Sequence, residues 1–254
     1  MLAITFACVL TSTVSRVLFL AVLGILCCYE LSRQLETMEV YCSAWVMYVY
    51  VASQALLALL HVKPTAYLVS FLLAVYLAML SGILRRKVSG NGALDTVAGL
   101  GYPAFLFAIL LMISVNEKWL QVMTLGCVSA WVCDSFALFG GMAFGKHKLA
   151  PLISPKKTVE GALCGALSSI PAGALLALLP FMKGISVPLG MVTALVASTL
   201  GQVGDLAESL IKRMIGIKDF SNLIPGHGGI FDRVDSLLFS IPTAYVCLYI
   251  AGVV

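Results

Sequence analysis

The densest chemistry in this sequence lies between Ser209 and Ser236. There SLIKRMIGIKDFSNLIPGHGGIFDRVDS sets Lys212, Arg213, Lys218, Asp219, Asp232, Arg233 and Asp235 in a chain otherwise dominated by apolar residues, with Glu208 just upstream. Charge at this density beside hydrocarbon needs a purpose, because ionisable groups within membrane segments are costly and tend to be functional. Gly226, Gly228 and Gly229 surround His227. Such glycines let successive backbone N–H groups turn toward an anion, and Lys218 and His227 can add charge or a proton-donating edge. The segment has what is needed to hold a phosphate and a divalent cation at a membrane boundary.

Helical spacing extends the pattern on both sides. Gln202, Asp205, Glu208, Ser209 and Lys212 recur at three- and four-residue steps and form one polar stripe that must face protein or water. An interhelical salt bridge, Asp205 or Glu208 with Arg233, would satisfy part of it. A second helix is expected to begin near Ile230 and to carry Asp232, Asp235 and Ser236 on one face. Carboxylates from two helices can converge on a hard cation. Magnesium takes carboxylate oxygens, waters and substrate phosphates, and no thiolate or multi-histidine set suited to zinc is present. Asp205 and Asp232 are the first expected Mg²⁺ ligands and Asp235 the next, and Asp235 or Ser209 could share a second cation.

The third constellation runs from Asp134 to Gly161, DSFALFGGMAFGKHKLAPLISPKKTVEG. Asp134 interrupts an apolar span, and Lys146, His147, Lys148, Lys156 and Lys157 follow it. Lysines at span ends also snorkel and mark topology. Ser154, Pro155, Lys156, Lys157 and Thr158, however, compress cations and hydroxyls into what reads as a rigid turn suited to polyphosphate oxygens.

These residues must be positioned by membrane helices. The 254 residues are 61% hydrophobic and only 11% charged, with a mean hydropathy of +1.02, against roughly 25% charge in soluble domains. Apolar stretches long enough to cross a bilayer recur at 14–31, 41–62, 64–84, 96–115, 119–143, 160–181, 186–208 and 231–254. A shorter ninth lies at 1–13 and reads as retained, since no basic residues follow Met1 as in a signal peptide. The expected fold is all-α: one polytopic membrane domain of eight to nine spans, with 1–133 as scaffold and 134–254 as the motif-bearing half. Cysteines such as Cys27, Cys28 and Cys133 lie in apolar spans without CxxC spacing and read as packing residues.

Loops carrying Arg85, Arg86 and Lys87, then Lys146 to Lys157, then Lys212 to Lys218 are the cation-rich ones, and the intervening loops hold little beyond Lys63, Lys118 and Lys183. The positive-inside rule makes the rich loops cytoplasmic and turns the 209–236 cluster to the cytosol. A net charge of +4, placed at span ends, favours anionic lipid head groups over nucleic acid. Gly161, Gly165 and Gly173 share one span and suggest close helix packing, with a homodimer as one use of that face.

Taken together, these motifs resemble the bacterial-type phosphatidate cytidylyltransferases, or CDP-diacylglycerol synthases. The resemblance is specific from Asp134 to Ser236 and general in hydropathy before that. It rests on Ser209, Lys212, Arg213, Lys218, Asp219, Ser221, Pro225, His227, Gly228, Gly229, Asp232, Arg233 and Asp235. It also rests on Gly201, Gln202, Gly204, Asp205 and Leu206, and on Ser154 to Thr158 with Glu160 and Gly161. Tyr29, Glu30 and Leu31 also look similar. Leu138 stands where an aromatic residue is expected and Met142 where a basic one is.

The resemblance implies condensation of CTP with phosphatidate to CDP-diacylglycerol and pyrophosphate, Mg²⁺-dependent, at the cytosolic face of a bacterial inner membrane. It implies catalytic roles for Asp205, Lys212, Arg213, Lys218, Asp219, Asp232, Arg233 and Asp235. Substrate contacts would come from Asp134, Ser154, Lys156, Lys157, Thr158, Glu160, Ser209, His227, Gly228 and Gly229. A related enzyme using another lipid phosphate fits the same signature. An ion-coupled transporter also sets carboxylates beside glycines, but no inverted repeat is evident and the cluster lies toward one end of its spans.

Overall fold

Serine and threonine caps and proline starts set the helix boundaries. The computed structural model describes residues 12–40, 42–84, 92–223 and 228–254. Helix α1 (Thr13–Thr37) opens on a capping box, in which the Ser12 hydroxyl accepts from the Ser15 amide and the Ser15 hydroxyl from the Ser12 amide. Then come α2 (Ala44–Leu59), α3 (Pro64–Leu84), and α4 (Gly92–Gly99), which passes through a widened turn at Leu100–Ala104 into α5 (Phe105–Ser114). Pro103 supplies no amide there and Tyr102 leaves the helical region, so this span is kinked.

Helix α6 (Trp119–Phe144) is followed by strands β1 (Lys148–Ala150) and β2 (Ser154–Thr158), then α7 (Val159–Ala177), α8 (Val187–Ile215) and α9 (Leu237–Ile250). Thr158 caps α7 by accepting from the Gly161 amide. Ser186 caps α8, which stops at Gly216 in the left-handed region (φ 79°), with Lys212 and Arg213 at its negative end.

Among the described residues, six helical stretches are long and apolar enough to cross a bilayer, and α2 and α9 are shorter apolar helices. The protein is an all-α, multi-pass membrane protein, and a helix occupies every span expected from 14 onward. The ninth span at 1–13 lies almost wholly outside the described residues.

Two local expectations are corrected. The Ser154–Thr158 segment is not a turn but the second strand of an antiparallel hairpin, pairing Lys148 with Thr158 and Ala150 with Ser154. Pro155 holds its predecessor extended and needs no ladder donor, and the reversal falls upstream at 151–153. Nor does an α-helix carry Asp232 and Asp235. Phe231–Arg233 is a single 3₁₀ turn and α9 starts only at Leu237. The Asp232 Oδ2 accepts from the Phe220 and Gly229 amides (3.0 and 2.8 Å) and the Asp235 Oδ1 from the Ser236 amide (2.7 Å). Aspartates that bond local backbone this way favour turns over helix interiors.

The chain forms two compact units, residues 1–116 with 219–232, and residues 117–218 with 233–254. In the first, α2 packs on α1, α3 and α5. In the second, α6, α7, α8 and α9 form a bundle in which α7 lies between α6 and α8. Lipid offers no hydrophobic drive to join helices, so close backbone approach through small residues must do so. A Cβ on Gly173 would meet the Gly190 carbonyl oxygen at 2.2 Å, and one on Gly165 would meet the Cys133 carbonyl oxygen at 2.6 Å. The glycines that suggested a dimer face are therefore engaged inside this unit.

Replacing Gly173 by Val should push α7 off α8 and cost about 1–3 kcal/mol by overpacking. The thermal unfolding midpoint in detergent should fall. Gly101→Ala, which meets nothing within 4 Å, should leave that midpoint near the wild-type value.

Candidate active site

In the second unit, the long helix α8 carries the expected stripe unbroken. The Gln202 amide donates to the Ala162 carbonyl (3.1 Å) and reaches the Cys133 sulfur (3.1 Å), tying α8 to α7 and α6. One turn on, the Asp205 Oδ2 is paired with the Lys157 ammonium of β2, and its Oδ1 accepts from the Ser209 hydroxyl at 3.4 Å. Of the salt bridges that could satisfy part of the stripe, the one Asp205 makes is with Lys157. Fully buried Glu208 binds Lys212 one turn along the same helix at 2.6 Å.

Asp205 and Lys157 border a cavity of about 400 Å³, within the usual range for small-molecule sites. Its polar lining is Asp134, Lys156, Lys157, Thr158, Gln202 and Asp205. The rest of the lining is apolar and includes Leu138 and Met142, one and two turns beyond Asp134 on α6 and the two positions at which the sequence departs from the motif. Asp235, in the turn ahead of α9, is not part of this lining but lies within electrostatic reach of Asp205 and Asp134. Neighbouring acidic groups of this kind would be relieved by a cation.

Among the described residues no three His, Cys, Asp or Glu side chains form a ready metal cage. That is compatible with magnesium, which keeps waters and takes one or two carboxylates along with substrate phosphates. The donor chemistry of Asp205 and Asp235 fits such an ion. Asp232 belongs to the first unit, where its Oδ2 holds two loop amides.

Other expected residues serve the frame of the site. The Arg213 Nε donates to the Ile153 carbonyl (3.1 Å) and its Nη1 to the Ile217 carbonyl (3.2 Å), fastening the hairpin turn to the end of α8. Glu160, in the first turn of α7, accepts from the Lys146 and His147 amides and from His147 Nδ1 at 2.6 Å, which closes the link between α6 and β1. Ser154 opens β2, and Lys218 and Asp219 are exposed. Arg233 is exposed at the end of its 3₁₀ turn. His227 lies outside the described residues.

In the first unit, residues 219–232 dock on α1. The Gln34 amide donates to the Phe220 carbonyl at 2.5 Å, and Phe220, Phe231 and Tyr102 stack in the core. One turn before Gln34, buried Glu30 accepts from Ser221 and from the amides of Ile230 and Phe231. Sequence reasoning noticed Glu30 but assigned it no role. The available signal was an acid inside an apolar span, the same signal that singled out Asp134.

The Arg213 anchor is testable apart from any activity. Arg213→Met should free the 151–153 turn and speed tryptic cleavage after Lys148 or Lys156 several-fold, with little change in thermal midpoint.

Comparison with known proteins identifies the family. The model of the cytidylyltransferase family matches residues 1–251. A phosphatidate cytidylyltransferase of Brucella abortus is 41% identical over 160 residues, covering 62% of this chain and 56% of that protein. One of Bacillus subtilis is 41% identical over 135 residues, covering 53% and 50%. With these two the chain aligns over about half of their length. A phosphatidate cytidylyltransferase of Aquifex aeolicus is 33% identical over 240 residues, covering 91% of this chain and 82% of that protein. On a match that runs through nearly its whole length, the chain belongs to the cytidylyltransferase family.

Proposed function

We propose that the protein is a CTP:phosphatidate cytidylyltransferase working at the cytosolic face of a bacterial inner membrane. A phosphate oxygen of phosphatidate attacks the α-phosphorus of CTP and forms the new P–O bond. The bond from that phosphorus to the oxygen bridging it to the β-phosphate breaks, and pyrophosphate leaves with the electron pair. CDP-diacylglycerol remains in the membrane.

The observation that carries this reading is the Lys157–Asp205 pair bordering a cavity between membrane helices, with Asp134, Lys156 and Thr158 in the same lining. Cations of a β-hairpin and carboxylates of membrane helices meet there, which suits a reaction joining a lipid phosphate to a soluble polyphosphate. A phosphomonoester has its second pKa near about 6, so the attacking oxygen is already ionised at neutral pH and no general base is required. What the protein must supply is positioning and charge neutralisation. Lys156 and Lys157 would neutralise phosphate oxygens from β2, and the Thr158 hydroxyl would add a donor at the start of α7. Lys212, Arg213, Lys218 and Arg233 remain candidates for the lipid phosphate and the departing pyrophosphate. Asp205 and Asp235 of the second unit would hold Mg²⁺, Asp232 is the other ligand expected from the sequence, and the ion would offset charge on the phosphate oxygens.

Purified protein in detergent should release pyrophosphate only when phosphatidate, CTP and Mg²⁺ are all present; ATP in place of CTP serves as the control. No release from a folded sample would overturn the reading. Asp205→Asn should lower kcat about 10³-fold while the protein still inserts and purifies, whereas Lys63→Ala should be nearly silent. Wild-type activity in Asp205→Asn, with the same Mg²⁺ dependence, would remove Asp205 from the metal assignment.

A further inference from the structure

Glu30 is 2% exposed on α1, a long apolar helix whose acidic side chains are otherwise confined to its C-terminal end. Its Oε1 accepts from the Ser221 hydroxyl at 2.5 Å and the Ile230 amide at 3.0 Å, and its Oε2 accepts from the Phe231 amide at 2.8 Å. These donors lie some 190 to 200 residues further along the chain, on both sides of the 224–227 stretch. The Asp232 Oδ2 meanwhile accepts from the Phe220 and Gly229 amides. Two carboxylates thus hold one short loop, and they alternate: Asp232 takes the amides of 220 and 229, Glu30 the donors of 221, 230 and 231.

Gly229 sits where the two meet. A Cβ there would fall 2.8 Å from both Glu30 oxygens and 3.0 Å from the Asp232 Oδ2, so no side chain fits without displacing one of them. Charge-assisted bonds of this kind are about twice as strong as neutral ones. Removing the acceptor would leave buried amides unsatisfied, at the cost that accompanies any unmade buried bond. The arrangement is more than an apolar core needs. Phe220 and Phe231 already anchor the loop by burying their own rings, and an acid brought into a membrane span must be justified by what it orients.

We infer that Glu30 is a positioning residue for the proposed reaction, fixing the 228–232 backbone and through it the direction of the Asp232 carboxylate. This inference rests on the cytidylyltransferase reading. Glu30→Gln keeps the size of the side chain but places an NH₂ group against at least one of the donors that the second oxygen accepts. A loop so loosened should present the Asp232 carboxylate poorly to a cation held with the nucleotide, where a misplacement of about 1 Å can cost 10²-fold.

The test combines kinetics with hydrogen exchange on the full-length protein in detergent. In Glu30→Gln, the apparent KM for CTP should rise at least about fivefold and kcat should fall about 10- to 100-fold, with the KM for phosphatidate unchanged. Exchange in the 228–236 peptide should quicken about tenfold while that of α6 to α9 stays as in wild type. Exposed Glu36 on the same helix gives the control Glu36→Gln, which should change neither. Ser221→Ala removes one of the three donors to Glu30, together with the acceptor of the Leu223 amide. If Glu30→Gln fails to fold, Ser221→Ala should still move the KM for CTP and the peptide exchange in the same direction, by less.

Faster exchange with unchanged kinetic constants would overturn the inference. So would a loss of kcat proportional to folded protein with both KM values fixed, or altered kinetics without faster exchange. An inactive wild-type protein would instead sink the activity reading, with the exchange of 228–236 still deciding whether Glu30 fixes the loop.

Discussion

The ion pair between Lys157 and Asp205 organises the second unit. A carboxylate inside an apolar bundle is tolerated when a cation and hydrogen-bond donors meet it there, and breaking such a pair leaves a stranded charge. The cation comes not from another helix but from a two-stranded hairpin, an element too small to be stable alone. The hairpin must therefore be held to the bundle by other means. Arg213 ties its turn to the end of α8, Glu160 closes the link leading into it, and Thr158 ends it by capping α7. The polar lining of the cavity follows from these constraints together.

The first unit handles an intramembrane acid in a different way. Glu30 is satisfied by a hydroxyl and two backbone amides. Backbone amides cannot be lost to a rotamer change, so this arrangement favours rigidity. The pairing at Lys157 involves a long flexible side chain, which would suit a group that also meets phosphate oxygens in the proposed reaction. The two solutions match a division of work between fixing a loop and neutralising charge.

Close helix packing ties this chemistry to the membrane. Gly173 against Gly190 lets α7 and α8 touch along their backbones, and Gly204 admits the Phe239 ring and the Asp235 carbonyl oxygen. Larger side chains there would separate α8 from α7 and from the turn bearing Asp235. The small residues of the second unit are thus part of what keeps Asp134, Asp205 and Asp235 within electrostatic reach of one another.

Hydropathy and helical spacing alone determined that the protein is a bundle of membrane helices. They put each span from 14 onward on a helix and Gln202, Asp205, Glu208 and Lys212 on one stripe of α8, because a bilayer demands long apolar helices and a helix repeats every 3.6 residues. The motifs pointed to Asp205 and Lys157 because acids and lysines are conspicuous against so apolar a background. Only the tertiary structure decided that Lys157 is the partner of Asp205, that Ser154–Thr158 is a strand, that Asp232 sits in a 3₁₀ turn, and that Glu30 holds a loop nearly two hundred residues away. Each of these depends on which elements meet in space, and a partner's identity leaves no periodic trace in the chain that carries it.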